Sequence, residues 1–248
     1  MKFAELTWPL LREVPRDKSV IVAPVAACEQ HSRHLPTITD TLLVTAVAEG
    51  VEARLPREVL LLPTLWLGAS GHHLRFGATL STEVETHITM LCDLLTPLLD
   101  DGYQRVLVLN GHGGNTDTIH VALRSLQPHF RNRILAGAAY WELAEPELAA
   151  LAEGPRKNMG HACEFETSMI LAVRPDLVRR PEIKDDPPTD DPALRGIYLP
   201  DDMYQKTDHG CVGFPEQASA EKGRVFLEKA IERTAGVVSR LIQRPLPR

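Results

Sequence analysis

Hydrophobic positions fall into short continuous runs separated by longer stretches with a helical rhythm. Residues 18–27 (KSVIVAPVAA) form a β-branched run with charge only at its start, the pattern of a strand buried on both faces. Apolar positions Leu43, Val44, Val47, Val51 and Leu55 then recur at helical spacing, with Asp40 or Thr41 placed to cap a helix over 40–55. A second strand is predicted over 58–67, with Pro63 marking an edge or an irregularity. A helix over 82–101 stops at Gly102. Residues 105–109 (RVLVL) make a third strand that runs directly into Asn110-Gly-His-Gly-Gly-Asn115 and a helix to about Leu126. A fourth strand is expected over 133–140 and a short helix over 165–173, ended by Pro175. An amphipathic terminal helix over 218–243 presents Val225, Phe226, Ala230, Ile231, Val238 and Leu241 on one side. Four strand–helix alternations with no internal repeat imply one α/β domain with a largely parallel sheet flanked by helices.

Residues 181–216 break this rhythm. They are rich in Pro and Asp and too long for a plain connector, so a lid, a partner contact or a solvated loop is expected. Their apolar and aromatic members Ile197, Tyr198, Leu199, Met203 and Tyr204 favour packing of 197–214 against a neighbouring subunit, with Tyr204 or His209 reaching a substrate. Six aspartates cluster within 185–202, Asp185, Asp186, Asp190, Asp191, Asp201 and Asp202, and match the net charge of −6 in size. A nucleic-acid partner is not expected, because such proteins carry a basic face. No apolar run is long enough for a membrane span and no signal-peptide h-region opens the chain. The four cysteines are far apart without a CxxC pair, so reduced thiols and a cytoplasmic location are expected.

In an open parallel sheet, ligands bind beyond the carboxyl ends of the strands. After the first strand stand Glu29, His31, His34 and Asp40; after the second, Ser70, His72 and His73; after the third, His112; after the fourth, Trp141; and before the short helix, His161, Glu164 and Glu166. Imidazole and carboxylate gathered at one sheet edge suit zinc, manganese or iron. Glu29 and His31, two apart in an extended segment, point the same way, and the two oxygens of Asp40 allow it to bridge two ions. Any single histidine in this set is more often a hydrogen-bonded surface group than a ligand. His72 is read as a solvated loop residue, and His87 and His120 as structural residues within helices. Cys28 and Cys163 read as packing residues, although a thiol nucleophile beside a His or Glu is a rival chemistry.

Four segments carry a resemblance to a known family. EQHSRHLPTITDT (29–41), LNGHGGN (109–115), GHACEFETSMILAVRPDLV (160–178) and GCVGFPEQASAEKG (210–223) resemble, in order, blocks of the creatininase family of amidohydrolases. The resemblance implies a single creatininase-like α/β domain, a ring-like homohexamer and two divalent metal ions per subunit. By position, Glu29, Asp40 and His112 would hold one ion and His31 and Asp40 the other, with Asp40 as the bridge. Creatininase itself completes the second site with a Glu two residues past the strand-three His; here that position is Gly114, and Glu164 is the expected replacement. His161 matches the proton-transferring His and Glu166 its nearby acid, while Ser70, His73 and Trp141 match the substrate side. Where creatininase has a second pocket Trp, this chain has Arg156-Lys157-Asn158-Met159, so a small-molecule amide other than creatinine is the expected substrate. Formamide deformylases and a peptidase in the same family widen that class, and a metal-binding relative without catalysis is the remaining alternative.

Overall fold

The computed structural model describes residues 1–187, 193 and 196–247. Four strands, β1 (Val20–Val25), β2 (Val59–Leu61), β3 (Arg105–Asn110) and β4 (Ile134–Ala139), form one parallel sheet in the order β2-β1-β3-β4. The α-helices are α1 (Trp8–Glu13), α2 (Thr39–Arg54), α3 (Val84–Asp100), α4 (Thr116–Leu126), α5 (Tyr140–Leu143), α6 (Glu145–Leu151), α7 (Glu164–Val173), α8 (Met203–Lys206) and α9 (Ala220–Gln243).

Both faces of the sheet are covered, which is why its strands read as unbroken apolar runs. On β1, Val20 and Val22 pack toward α2, α7 and α9, while Ile21, Ala23 and Val25 pack toward α3 and α4. On β3 the same alternation sends Leu107 and Leu109 to the first layer and Val106 and Val108 to the second. Period-two side-chain placement thus builds two cores from one strand. Pro63 is explained by β2, an edge strand that ends at Leu61, two residues before the proline.

Three expectations are corrected. The helix after β1 starts at Thr39, so neither Asp40 nor Thr41 caps it. Asp40 lies in the first turn with its carboxylate turned to two histidines, and the Thr41 hydroxyl donates to the Ala27 carbonyl at 2.9 Å. On α9, Val225 faces solvent; the buried side is Phe226, Leu227, Ala230, Thr234, Ala235 and Val238. The segment after α7 is not uniformly loop. It contains α8, where Met203 is buried and Tyr204 stacks on Phe76 at 5.2 Å beneath Arg75, which pairs with Asp202 at 3.0 Å. Ile197, Tyr198 and Leu199 are exposed, and Asp190 and Asp191 lie outside the described residues. No helix among the described residues is long and apolar enough to cross a membrane.

Candidate active site

The carboxyl ends of the strands bring together residues more than a hundred positions apart. The turn after β1 delivers Glu29 and His31, the first turn of α2 delivers Asp40, the end of β3 delivers His112, and α7 delivers Glu166. All five are buried, and none is more than 7% exposed. Three carboxylates so far from water need countercharge, because an unpaired buried charge costs several kcal/mol or more.

Two ligand groups meet at Asp40. His112 Nδ1 lies 3.2 Å from both Glu29 Oε1 and Asp40 Oδ2. On the other side His31 Nε2 lies 3.0 Å from Asp40 Oδ1 and 3.6 Å from Glu166 Oε1. Glu29, Asp40 and His112 therefore make one candidate cation site and His31, Asp40 and Glu166 another, with Glu29, His31 and His161 as an overlapping third. Donor atoms that share one ion at roughly 2.0–2.2 Å from it lie about 3–3.5 Å apart, the spacing seen here.

The hydrogen bonding fits a cation equally well. Both oxygens of Glu29, Asp40 Oδ2 and His31 Nε2 are buried without a hydrogen-bond partner. Each of the two histidines gives its other nitrogen to the main chain. His31 Nδ1 donates to the Glu29 carbonyl at 3.1 Å, and His112 Nε2 donates to the Ala69 carbonyl at 3.3 Å. A carbonyl only accepts, so the site-facing nitrogens keep their lone pairs, as metal-ligating imidazoles do.

Without an ion the cluster draws protons instead. Burial opposes charge on His112, yet the Glu29 and Asp40 carboxylates override it and push its pKa up to about 10. Burial likewise disfavours charged His31, but Asp40 and then Glu166 raise it well above the ordinary value. Burial works to raise Asp40, whereas His31 and His112 hold it well below the usual carboxylate range. Because the folded value of His112 lies above its ordinary 6.5, its contribution to stability is fully present below that pH and is lost as pH rises through about 10. Metal-stripped protein should therefore lose melting temperature from pH 7 to pH 10 while metal-loaded protein, with neutral imidazoles, changes little. Calorimetry on both forms decides it: parallel curves would refute the assignment.

Glu164 is a correction. Glu164 and Glu166 are two apart on α7, and residues at that spacing do not share a helix face. Glu164 accepts from the Glu153 and Gly154 amides at 2.9 and 2.8 Å and from Lys222 Nζ at 2.8 Å, which turns its carboxylate away from the cluster. Glu166 occupies the third position of the helix, where Oε2 accepts from the Cys163 amide at 3.3 Å and Oε1 faces His31. The Cys-Glu-Phe-Glu start of α7 is the sequence signal that was available, since a capping box places its Glu three residues after the cap. Gly114 cannot carry a ligand side chain, because a Cβ there would lie 2.5 Å from the Ala69 carbonyl and from His112 Nε2.

Of the expected substrate-side residues, Ser70 is fully buried behind His112, its hydroxyl 3.3 Å from Nε2, and does not line the cavity. His73 lies with Nε2 3.3 Å from Glu29 Oε1. Trp141 does border the cavity over the cluster, about 340 Å³ in volume, together with His161, Met159 and Met203. His72 also lines it, stacked on His112 at 5.6 Å, rather than standing free in a loop. His87 is structural, bonded to Thr118 at 2.7 Å, and His120 is exposed. His161 Nδ1 is 3.7 Å from Glu29 Oε1, and burial and then His31 bring its pKa down to about 3, so the ring is neutral. Burial, aided by Glu166, pushes the Cys163 thiol up to about 12, which removes it as a nucleophile near neutral pH.

The model of the family described as creatinine amidohydrolase (creatininase) matches residues 4–238. Creatinine amidohydrolase of Pseudomonas putida is 30% identical over 252 residues, covering 94% of each chain. A mycofactocin precursor peptide peptidase of Mycobacterium tuberculosis is 30% identical over 241 residues, covering 94% of this chain and 90% of that one. A crystal structure of creatinine amidohydrolase superposes with a TM-score of 0.80 at 29% identity, covering 96% of both chains. Creatininase has also been solved in a zinc–zinc form of a mutant, TM-score 0.80 at 28% identity over 96% of this chain and 97% of that one, and in a manganese form, TM-score 0.79 at 28% over the same shares.

Proposed function

Because this chain belongs to the creatininase family, we propose that it is a metal-dependent amidohydrolase that cleaves the C–N bond of a small cyclic or otherwise non-standard amide. The observation that carries this reading is Asp40, whose two oxygens face two separate groups of buried, unsatisfied ligand atoms. Glu29, Asp40 and His112 would hold one divalent ion, and His31, Asp40 and Glu166 the other. Zinc, manganese or iron suits such donors. Such a pair, when bound, polarises the amide carbonyl and lowers the pKa of a water toward neutrality.

The chain's own groups supply the rest. Addition of hydroxide forms a C–O bond, and collapse breaks the C–N bond with a proton delivered to the departing nitrogen. His161 has Nδ1 facing the cluster, so it is placed to carry a proton between the water and that nitrogen. Glu166, fixed by the Cys163 amide, orients the His31 side of the centre. Trp141, His73 and Met159 border the space where the substrate sits.

The cavity adjoins a second one of about 300 Å³, and the two share Trp141, Glu142 and Met159 as lining. Leu148 and Phe165 line the second cavity together with Glu142, Glu145, Lys157 and Asn158, and Met159 stands on the segment where the resemblance places a pocket tryptophan in creatininase. Within this reading a substrate other than creatinine, such as a peptide-like amide, is the favoured class.

Zinc- or manganese-loaded protein should release amine from at least one member of a panel spanning creatinine, formamides, N-acyl amines and short peptides. Chelation should abolish that turnover, added metal should restore it, and thiol alkylation should leave it intact. No turnover across the panel by protein carrying two equivalents of metal would point to the non-catalytic alternative.

A further inference from the structure

Gln30 lies between two residues of the candidate metal cluster and is itself buried. Its side-chain orientation is fixed by chemistry. Oε1 lies 2.9 Å from the Ser32 amide nitrogen, which can only donate, so Nε2 is the atom turned toward the histidines. Nε2 is 2.9 Å from His73 Nδ1 and 3.1 Å from His161 Nε2. The second of these nitrogens is already committed, because His161 Nε2 lies 2.8 Å from the Gln30 main-chain carbonyl, an atom that can only accept. It therefore carries a proton and cannot receive another from the amide. The amide proton goes to His73 Nδ1. That leaves the His73 ring proton on Nε2, 3.3 Å from Glu29 Oε1.

We propose that Gln30 is a positioning residue that sets the tautomers of two histidines at once. Its amide leaves the His73 ring proton on Nε2, the nitrogen that faces Glu29 Oε1, and its carbonyl makes His161 an Nε2–H donor whose Nδ1 lone pair faces the cluster. The His73 N–H thereby faces Glu29 Oε1 on the His112 side of the centre, and the His161 nitrogen left free to take up a proton is specified as Nδ1. The amide is clamped in place. Ser32 holds a left-handed backbone, φ 57°, that turns its N–H back onto Oε1. From the other side Gly210 closes down so far that a Cβ there would stand 2.1 Å from Oε1. Only glycine fits that approach, and its own φ of 85° is one that glycine adopts without strain.

The inference rests on the metal-centre reading for its purpose but not for its test. Solid-state ¹⁵N NMR of histidine-labelled, zinc-loaded protein distinguishes protonated from lone-pair ring nitrogens directly. The expected result is Nε2–H on both His73 and His161. Gln30→Glu replaces the donor with an acceptor, so His73 should switch to Nδ1–H and turn a lone pair on Glu29, and zinc affinity should fall about 10–100-fold, the usual cost of a lost outer-sphere contact. Gln30→Met, which neither donates nor accepts, should give a mixed His73 tautomer and a smaller loss. Nδ1–H on His73 in the unmodified protein, or a Gln30→Glu variant with unchanged tautomer and zinc affinity, would overturn the proposal. If Gln30→Glu fails to fold, the unmodified protein's spectrum still decides. A wild-type protein that shows these tautomers yet binds no zinc would sink the metal reading alone.

Discussion

Asp40→Ala is expected to strip both ions and abolish hydrolysis together. Asp40 is shared, with Oδ1 against His31 and Oδ2 against His112, so its loss leaves each group with two protein ligands where it had three. Three protein ligands with an open position are the usual minimum for a catalytic ion of this kind. Lewis-acid polarisation and an activated water supply several kcal/mol of transition-state stabilisation, so activity should drop on the order of 10³-fold or more. The effect on stability separates the two states of the protein. A ligand present at about 100 times its Kd adds roughly 2.7 kcal/mol, so the variant should melt well below wild type when both are supplied with metal, and the gap should narrow after chelation. Elemental analysis and paired melting curves test this. Two equivalents of metal retained by the variant would remove Asp40 from its bridging role.

The second large effect distinguishes two glutamates two positions apart. Glu166→Gln should lower occupancy of the His31 group, leave the Glu29–His112 group mostly filled and reduce activity about 10²-fold, the range for one positioned charged donor or acceptor at a reacting centre. Glu164→Gln should leave metal content unchanged. It weakens a carboxylate that accepts two main-chain amides and meets Lys222, so the cost is stability, about 1–3 kcal/mol for a charge-assisted buried interaction. Metal content and melting temperature measured on both variants give a crossed pattern. If Glu164→Gln empties a site and Glu166→Gln does not, the assignments are reversed.

Much of this arrangement was legible along the chain. The β-branched runs of β1 and β3 announce strands covered on both faces, because only burial on both sides removes the polar alternation. Pro63 marks an edge because a proline cannot donate to a ladder. Glu29, His31, Asp40 and His112 were identifiable as a set because a parallel sheet delivers every strand's carboxyl end to one edge, so residue type and position just past a strand suffice. The motif blocks reached the same four residues by resemblance.

What remained was decided by groups distant in sequence. Glu164 and Glu166 are the same residue type two positions apart, and the capping-box spacing after Cys163 marks Glu166 as the one held at the helix start without saying which faces the centre. The choice is made by helix phase together with Lys222 and the amides of Glu153 and Gly154, which satisfy one carboxylate and leave the other turned toward His31. Ser70 reads as substrate-facing until His112 is seen to lie between it and the cavity. Gln30 reads as the spacer between a Glu and a His until Ser32 and Gly210 pin its amide against two imidazoles. Sequence determines where the chain delivers its chemistry, because strand polarity and side-chain period are local properties. Which atom of each side chain points at the centre is set by packing and hydrogen bonding between segments that meet only in the folded protein.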